Sequence, residues 1–111
     1  MLPFLERVRH RCPDYVPVLQ ALGDTYTECG RYEEGLEVDL LLTARLPDDD
    51  TAWYNLACSY ARTGQIDPAL EALKKSLALG YDNYEWMRRD DDLSALRSHP
   101  EFIRLTTQAS A

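Results

Sequence analysis

The chain has little of the chemistry that enzyme active sites use. Its 111 residues include two histidines and five glycines. With His10 and His99 alone available, a Ser/His/Asp triad would be fortuitous. The sequence also has no glycine-rich phosphate-binding loop. We therefore expect a non-catalytic protein that carries no cofactor.

Cysteine is also scarce, and its spacing argues against disulfides and metal sites. Cys12, Cys29 and Cys58 are far apart and form no C-x-x-C pair. An odd number of isolated cysteines predicts reduced thiols in a cytoplasmic protein. The acidic runs 48–50 and 90–92 lack the glycine turn and distal glutamate of a calcium loop. We interpret both runs as helix starts or solvated loops, and we predict no metal site.

Long apolar runs and excess positive charge are missing as well. No apolar run reaches the roughly 18 residues that a membrane-spanning helix needs. The 12 Lys and Arg residues against 19 Asp and Glu residues give a net charge of -7. Such a field repels nucleic acid and anionic lipid and favours basic partners. The sequence therefore predicts a protein or peptide partner with basic residues, and no nucleic acid or membrane.

What the chain does have is an internal repeat. Several apolar and small residues recur at an offset of 34 positions. A repeat of this period cannot bury its own apolar face, so it stacks on its neighbours and presents an extended surface. This surface favours protein binding over catalysis. The pairs are Leu19 with Trp53, Leu22 with Leu56, Gly23 with Ala57, Tyr26 with Tyr60, Gly30 with Gly64, and Gly35 with Ala69.

Helical spacing of the apolar residues predicts an all-α fold. Gly30 and Gly64 suit the left-handed backbone conformation that ends a helix. The oxygen-bearing residues 48–51 can accept the free amide hydrogens of a helix start. No stretch alternates long enough for a strand. The predicted helices cover 2–11, 15–28, 32–45, 50–62, 66–79, 84–88, 91–97 and 99–108.

These residues resemble the tetratricopeptide repeat. Residues 53–57, Trp-Tyr-Asn-Leu-Ala, carry the pattern, and residues 19–47 carry it again. The resemblance implies a right-handed α-α superhelix, a solenoid of helix hairpins. Three positions depart from the pattern. Gly35 is smaller than the usual alanine, Asp39 replaces a large apolar residue, and Tyr81 replaces a proline.

The resemblance divides a single domain, residues 1–111, into four parts. The last part resembles the module that closes such stacks in bacterial proteins, through a "DxxL–LR" pattern and a "P-x-F" helix. The predicted parts are 1–13, the second helix of a truncated preceding repeat; 16–49, repeat 1; 50–83, repeat 2; and 84–108, capping helices.

The first helix leaves two interpretations open. It is either a natural cap or the remainder of a longer array, and we favour the second. Terminal repeats normally carry a polar outer face, whereas this helix carries Phe4, Leu5 and Val8. We expect these three side chains to be exposed and to support a homodimer.

In proteins with this repeat, the first helix of each hairpin lines a concave groove. Tyr54 and Asn55 are the strongest candidates there, since an aromatic ring offers contact area and an amide can hold a peptide backbone. The carboxylate clamp of chaperone-binding members is not expected, because Asn55 and Arg89 alone match it. We expect an acidic end and a basic end. The predicted groove residues are Gln20, Asp24, Thr27, Glu28, Tyr54, Asn55, Cys58, Arg62, Arg88 and Arg89.

The sequence thus predicts a scaffold that binds a peptide or protein segment in this groove. Two alternatives stay open. The chain could be a regulatory appendage of a larger enzyme, such as a kinase or transferase, or it could be a homo-oligomerisation module.

Overall fold

The computed structural model describes residues 2–109, and the prediction of an all-α fold is confirmed over that range. Residues 1, 110 and 111, which the predicted domain includes, lie outside the described part. No helix within 2–109 has the length and apolarity to cross a membrane. The helices are α1 (Leu2–Arg11), α2 (Val16–Glu28), α3 (Tyr32–Arg45), α4 (Asp50–Arg62), α5 (Ile66–Ala78), α6 (Tyr84–Arg89), a 3-10 helix (Asp91–Leu96) and α7 (Pro100–Ala109).

The helix ends follow from local chemistry. Gly30 and Gly64 are the second residues after α2 and α4 and have φ angles of 75° and 77°, a conformation that glycine adopts without strain. Asp49 caps α4, because its carboxylate accepts hydrogen bonds from the amides of Thr51 and Ala52. The segment predicted as a helix over 91–97 is instead a 3-10 helix of six residues. The Asp90 side chain caps its start by accepting a hydrogen bond from the Asp92 amide.

Helices α1 to α5 pack in chain order, and the body is elongated, with dimensions of 45 × 26 × 21 Å. Helices α2 and α3 form one hairpin and α4 and α5 form the next, while α3 also packs against α4. At the crossing of α2 and α3, a Cβ on Gly23 would lie 3.2 Å from Asp39 Oδ1. The equivalent Ala57 is fully buried in the second hairpin. Small buried residues therefore occupy this repeat position in both hairpins.

The segment after α5 packs onto the second hairpin. Met87, Leu93, Leu96 and Phe102 are buried in one apolar cluster with Leu73 and the rest of α4 and α5. The first hairpin has its own cluster, which α1 helps to cover. Residues after Gly80 therefore pack against the apolar face of the second hairpin.

The expectation of an exposed apolar face on α1 is wrong for one of its three residues. Leu5 is buried, since α1 lies against α2 in the cluster of the first hairpin. Val8 is partly buried, and Phe4 is 57% exposed. The Tyr26 hydroxyl donates a 2.7 Å hydrogen bond to Glu6 and fixes α1 on α2. The homodimer stays a prediction, and Phe4 is the residue of this set best exposed to support it.

Candidate functional site

A cavity of about 260 Å³ opens where α2, α3 and α4 meet the segment from Tyr81 to the 3-10 helix. Helix α3 packs against both α2 and α4, and the 3-10 helix packs on α4. Four carboxylates from three different parts of the chain line the cavity. We call it the acidic cavity, after Asp24, Asp39, Asp90 and Asp92.

The structure brings together six of the ten predicted groove residues. These six line the acidic cavity and are Asp24, Thr27, Tyr54, Asn55, Cys58 and Arg62. The other four lie outside its lining and are Gln20, Glu28, Arg88 and Arg89. The helical period accounts for the grouping, because residues three or four apart on α2 and α4 share one face.

Tyr54 has little exposed surface for the peptide contact that the sequence predicts for it. Its side chain is 3% exposed and lies within the apolar cluster of the second hairpin. Its hydroxyl donates a 2.6 Å hydrogen bond to Asp90 Oδ2, and its ring centroid lies 4.3 Å from that of Tyr81. Burial raises the pKa of the Tyr54 phenol. Trp86 offers more aromatic surface at this cavity, since it is 46% exposed.

The three arginines of the expected basic end contact other residues of the described chain. Arg62 donates to Asp92 at 2.8 Å, and its guanidinium lies 5.0 Å from the centre of the Tyr32 ring. Arg89 lies 3.8 Å from Glu85 on its own helix. Arg88 donates to the Thr106 carbonyl at 3.5 Å, so it contacts α7. Arg88 and Arg89 lie outside the lining, where Arg62 faces four carboxylates, so the cavity has an excess of negative charge.

Asp39 is the most buried carboxylate of the four, at 5% exposure. Its Oδ2 accepts a 2.6 Å hydrogen bond from the Ser59 hydroxyl, which ties α3 to α4. Burial raises the pKa of Asp39 to about 6, the Ser59 hydrogen bond opposes the shift, and Asp24 adds to it. Desolvation disfavours the charged form of a carboxyl group. The surroundings of Asp39 therefore stabilise its carboxylate less than water does.

Asp24 stands at the same cavity and is exposed. Its pKa is raised by partial burial and by the nearby Glu28. Neither Asp24 nor Asp39 forms an ion pair with any described residue. The cavity therefore has two carboxylates without a cationic partner in the described chain, and it has the electrostatics of a site for a positively charged group.

Sequence reasoning missed Asp39, Asp90 and Trp86. The signal for Asp39 was present, since a carboxyl group stands where the repeat has a large apolar residue. The helix-start interpretation was correct for Asp90, which caps the 3-10 helix. The same carboxylate also accepts from Tyr54, 36 residues away, and no local pattern predicts such a contact.

Three side chains of the cavity are of types that bind metal ions and lie close together. The Sγ of Cys58 and carboxylate oxygens of Asp90 and Asp92 lie within 4.8 Å of one another. Burial raises the pKa of the Cys58 thiol well above its ordinary value, whereas metals bind the thiolate. Both carboxylates already accept hydrogen bonds, from Tyr54 and Arg62. The group is a poor fit to a metal centre.

Comparison with known proteins gives two matches. Residues 50–83 match the family model of the tetratricopeptide repeat. The chain is 35% identical over 89 residues to a chloroplastic protein of Arabidopsis thaliana. The alignment covers 78% of this chain and 27% of the relative, so the chain spans about a quarter of that protein's length. The relative's name places it in the chloroplast, whereas the cytoplasmic location of this chain stays a prediction.

Tetratricopeptide repeats are protein–protein interaction modules, and proteins that contain them are generally non-catalytic scaffolds. The matched segment covers α4, α5 and the turn that leads to α6. It supplies Tyr54, Asn55, Cys58 and Arg62 to the acidic cavity. Residues 50–83 of this all-helical chain therefore match the tetratricopeptide repeat, a protein-binding motif, and they form one wall of the cavity.

Proposed function

We propose that this chain is a non-catalytic scaffold that binds a peptide or protein segment along the face formed by α2, α4 and α6. One observation carries the proposal: the acidic cavity lies on this face and is lined by the repeat that matches a protein-binding family. A cavity that opens on a helical stack gives an extended ligand a fixed point of attachment.

The excess of carboxylates sets the chemistry of the ligand. Asp24 and Asp39 lack a cationic partner among the described residues, while Arg62 is paired with Asp92. A segment with basic residues complements this face, and the attraction speeds association more than it strengthens the complex. Asn55 is exposed beside the cavity, where its amide can donate to and accept from a peptide backbone.

Affinity capture with matched variants tests the proposal. The wild-type chain, Asp24→Lys, Asn55→Ala and the control Asp48→Lys are each used as bait, and retained proteins are identified by mass spectrometry. Asp48 is exposed in the loop before α4 and lies outside the cavity lining. We expect a set of proteins that the wild type and Asp48→Lys retain and the two cavity variants lose.

A peptide from such a protein is then titrated in stopped-flow measurements. Asp24→Lys should mainly slow association, and added salt should reduce the difference, because exposed charges are screened. Identical capture by all four baits would show that the ligand uses another surface, and the proposal would then be wrong.

A second candidate is that the chain is the binding module of a larger protein. The Arabidopsis relative supports this candidate, because the aligned part makes up 27% of the relative's length. An immunoblot of the native protein distinguishes the two cases. A band well above 12.7 kDa supports the larger protein, and a band at that mass contradicts it.

A further inference from the structure

We propose that the acidic cavity receives the ammonium group of one lysine side chain from the bound segment, with Asp39 as the deep acceptor and Asp24 at the mouth. This inference rests on the proposed function for the source of the lysine. Its chemistry rests on the cavity itself.

The first argument is the free acceptor on Asp39. Oδ2 is occupied by the Ser59 hydroxyl, whereas Oδ1 accepts no hydrogen bond from the described residues. Every fully buried side-chain oxygen in the described part of the chain has a partner, so Oδ1 keeps some exposure, and Asp39 lines the acidic cavity. The whole residue is 5% exposed, so this acceptor has little access to bulk water. An acceptor so placed is costly to leave unpaired, and a donor that enters the cavity supplies its partner.

Gly23 presents no side chain next to this oxygen. A Cβ at position 23 would lie 3.2 Å from Asp39 Oδ1 and would crowd it. Gly23 also lines the acidic cavity. The cavity wall next to Asp39 Oδ1 therefore has no side chain at position 23 that would crowd this oxygen.

The size of the cavity favours a side chain over a whole small molecule. Pockets for drug-sized ligands have volumes of roughly 300–1,000 Å³, and this cavity has about 260 Å³. An alkyl chain with a terminal ammonium group fits such a volume. Trp86 lines the same cavity and is 46% exposed, so its indole can contact the alkyl chain and attract the cation.

The geometry favours lysine over arginine. A guanidinium binds a carboxylate best through two parallel hydrogen bonds, which need both oxygens. Asp39 has one oxygen left, because Ser59 occupies the other. An ammonium group acts as a compact point charge with three donors. It can bind Asp39 Oδ1 and the carboxylate of Asp24 without displacing Ser59.

Nuclear magnetic resonance on the intact chain tests the assignment. The probe is Nα-acetyl-lysine methylamide, followed through the backbone amide signals of Gly23, Asp24 and Ser59. The matched probe without charge is Nα-acetyl-norleucine methylamide. We expect saturable shifts with the lysine probe and none with the norleucine probe. Equal shifts with both probes would overturn the proposal.

Three variants separate the site from general electrostatics. Asp39→Asn and Asp24→Asn should each weaken binding of the lysine probe, Asp39→Asn by about tenfold or more. Asp48→Asn makes the same change in net charge at an exposed position outside the cavity and should bind as the wild type does. If Asp39→Asn fails to fold, the exposed Asp24 still tests the cavity. Wild-type binding by every folded cavity variant would overturn the proposal.

Two further probes test the identity of the ligand. Nα-acetyl-arginine methylamide should bind more weakly than the lysine probe, and tighter binding would show that the assignment to lysine is wrong. Spermidine represents a free polyamine. If spermidine shifts the cavity signals and the lysine probe does not, the cavity serves a free cation and the proposal is overturned.

These results are independent of partner capture. Loss of captured proteins with Asn55→Ala, together with no binding of the lysine probe, would keep the proposed function and reject the lysine pocket. Binding of the probe, together with identical capture by all baits, would keep the pocket and reject the proposed function.

Discussion

The hydroxyl of Tyr54 donates a 2.6 Å hydrogen bond to the carboxylate of Asp90, joining α4 to the start of the 3-10 helix. Both side chains are buried. Asp90 Oδ1 also caps the 3-10 helix through the Asp92 amide, and the Asp90 carbonyl accepts a hydrogen bond from Arg97. One residue thus ties the closing segment to the second hairpin and forms one wall of the acidic cavity.

Removing the Tyr54 hydroxyl should destabilise the protein. Tyr54→Phe leaves the buried Asp90 Oδ2 with only the long 3.9 Å contact from the Cys58 thiol, and we expect a loss of about 1–3 kcal/mol in the free energy of unfolding. Urea unfolding measures the loss. Tyr15→Phe is the matched control, because Tyr15 is 54% exposed. Equal unfolding midpoints for both variants would contradict the prediction.

The raised pKa of Asp39 should make the free energy of unfolding decrease as pH rises. Its pKa is about 6 in the folded protein, above the ordinary value of 3.8. The folded protein therefore holds a proton that the unfolded chain loses. The contribution of Asp39 to the free energy of unfolding is complete below pH 3.8. It is lost as pH rises through about 6.

Asp39→Asn should remove this pH dependence and keep an acceptor for Ser59. At pH 7 the variant should be more stable than the wild type, by up to about 3 kcal/mol. Urea unfolding between pH 4 and about pH 7 measures the difference, with Asp48→Asn as the control for charge. A wild-type pH dependence in Asp39→Asn would show that another group is responsible.

The first helix should depend on Leu5 and tolerate changes at its neighbour. Leu5→Ala removes a side chain packed against α2 and should cost about 2–5 kcal/mol. Phe4→Ala should change stability by less than about 0.5 kcal/mol, because Phe4 is 57% exposed. Thermal unfolding of the two variants provides the comparison. A greater loss with Phe4→Ala would mean that α1 presents its other face to α2.

The helix crossing in the second hairpin should reject a larger residue. Ala57 is fully buried, so Ala57→Leu forces α4 and its neighbours apart and should cost about 1–3 kcal/mol. Ala78→Leu is the control, since Ala78 is exposed on α5. Chemical unfolding measures both variants. Unchanged stability in Ala57→Leu would argue against close packing at this crossing.

The sequence by itself determined the elements and their order. Helix identity depends on apolar spacing, and helix ends depend on residues within a few positions, such as Asp49 and Gly64. The 34-residue offset then predicts hairpins that stack. These signals are local or periodic, so they can be read without knowing which distant residues meet.

Only the tertiary structure decided the chemistry of the site. The repeat placed Tyr54 and Asn55 on the face of α4 that lines the cavity, yet Tyr54 is buried and Asn55 is exposed. The difference arises because the segment after α5 folds over α4 and brings Asp90 and Tyr81 against Tyr54. Likewise, Asp39 is a buried acceptor whose Oδ2 is occupied by Ser59, because α3, which carries Asp39, packs between α2 and α4. Burial and pairing depend on contacts between distant residues, and no periodic pattern encodes them.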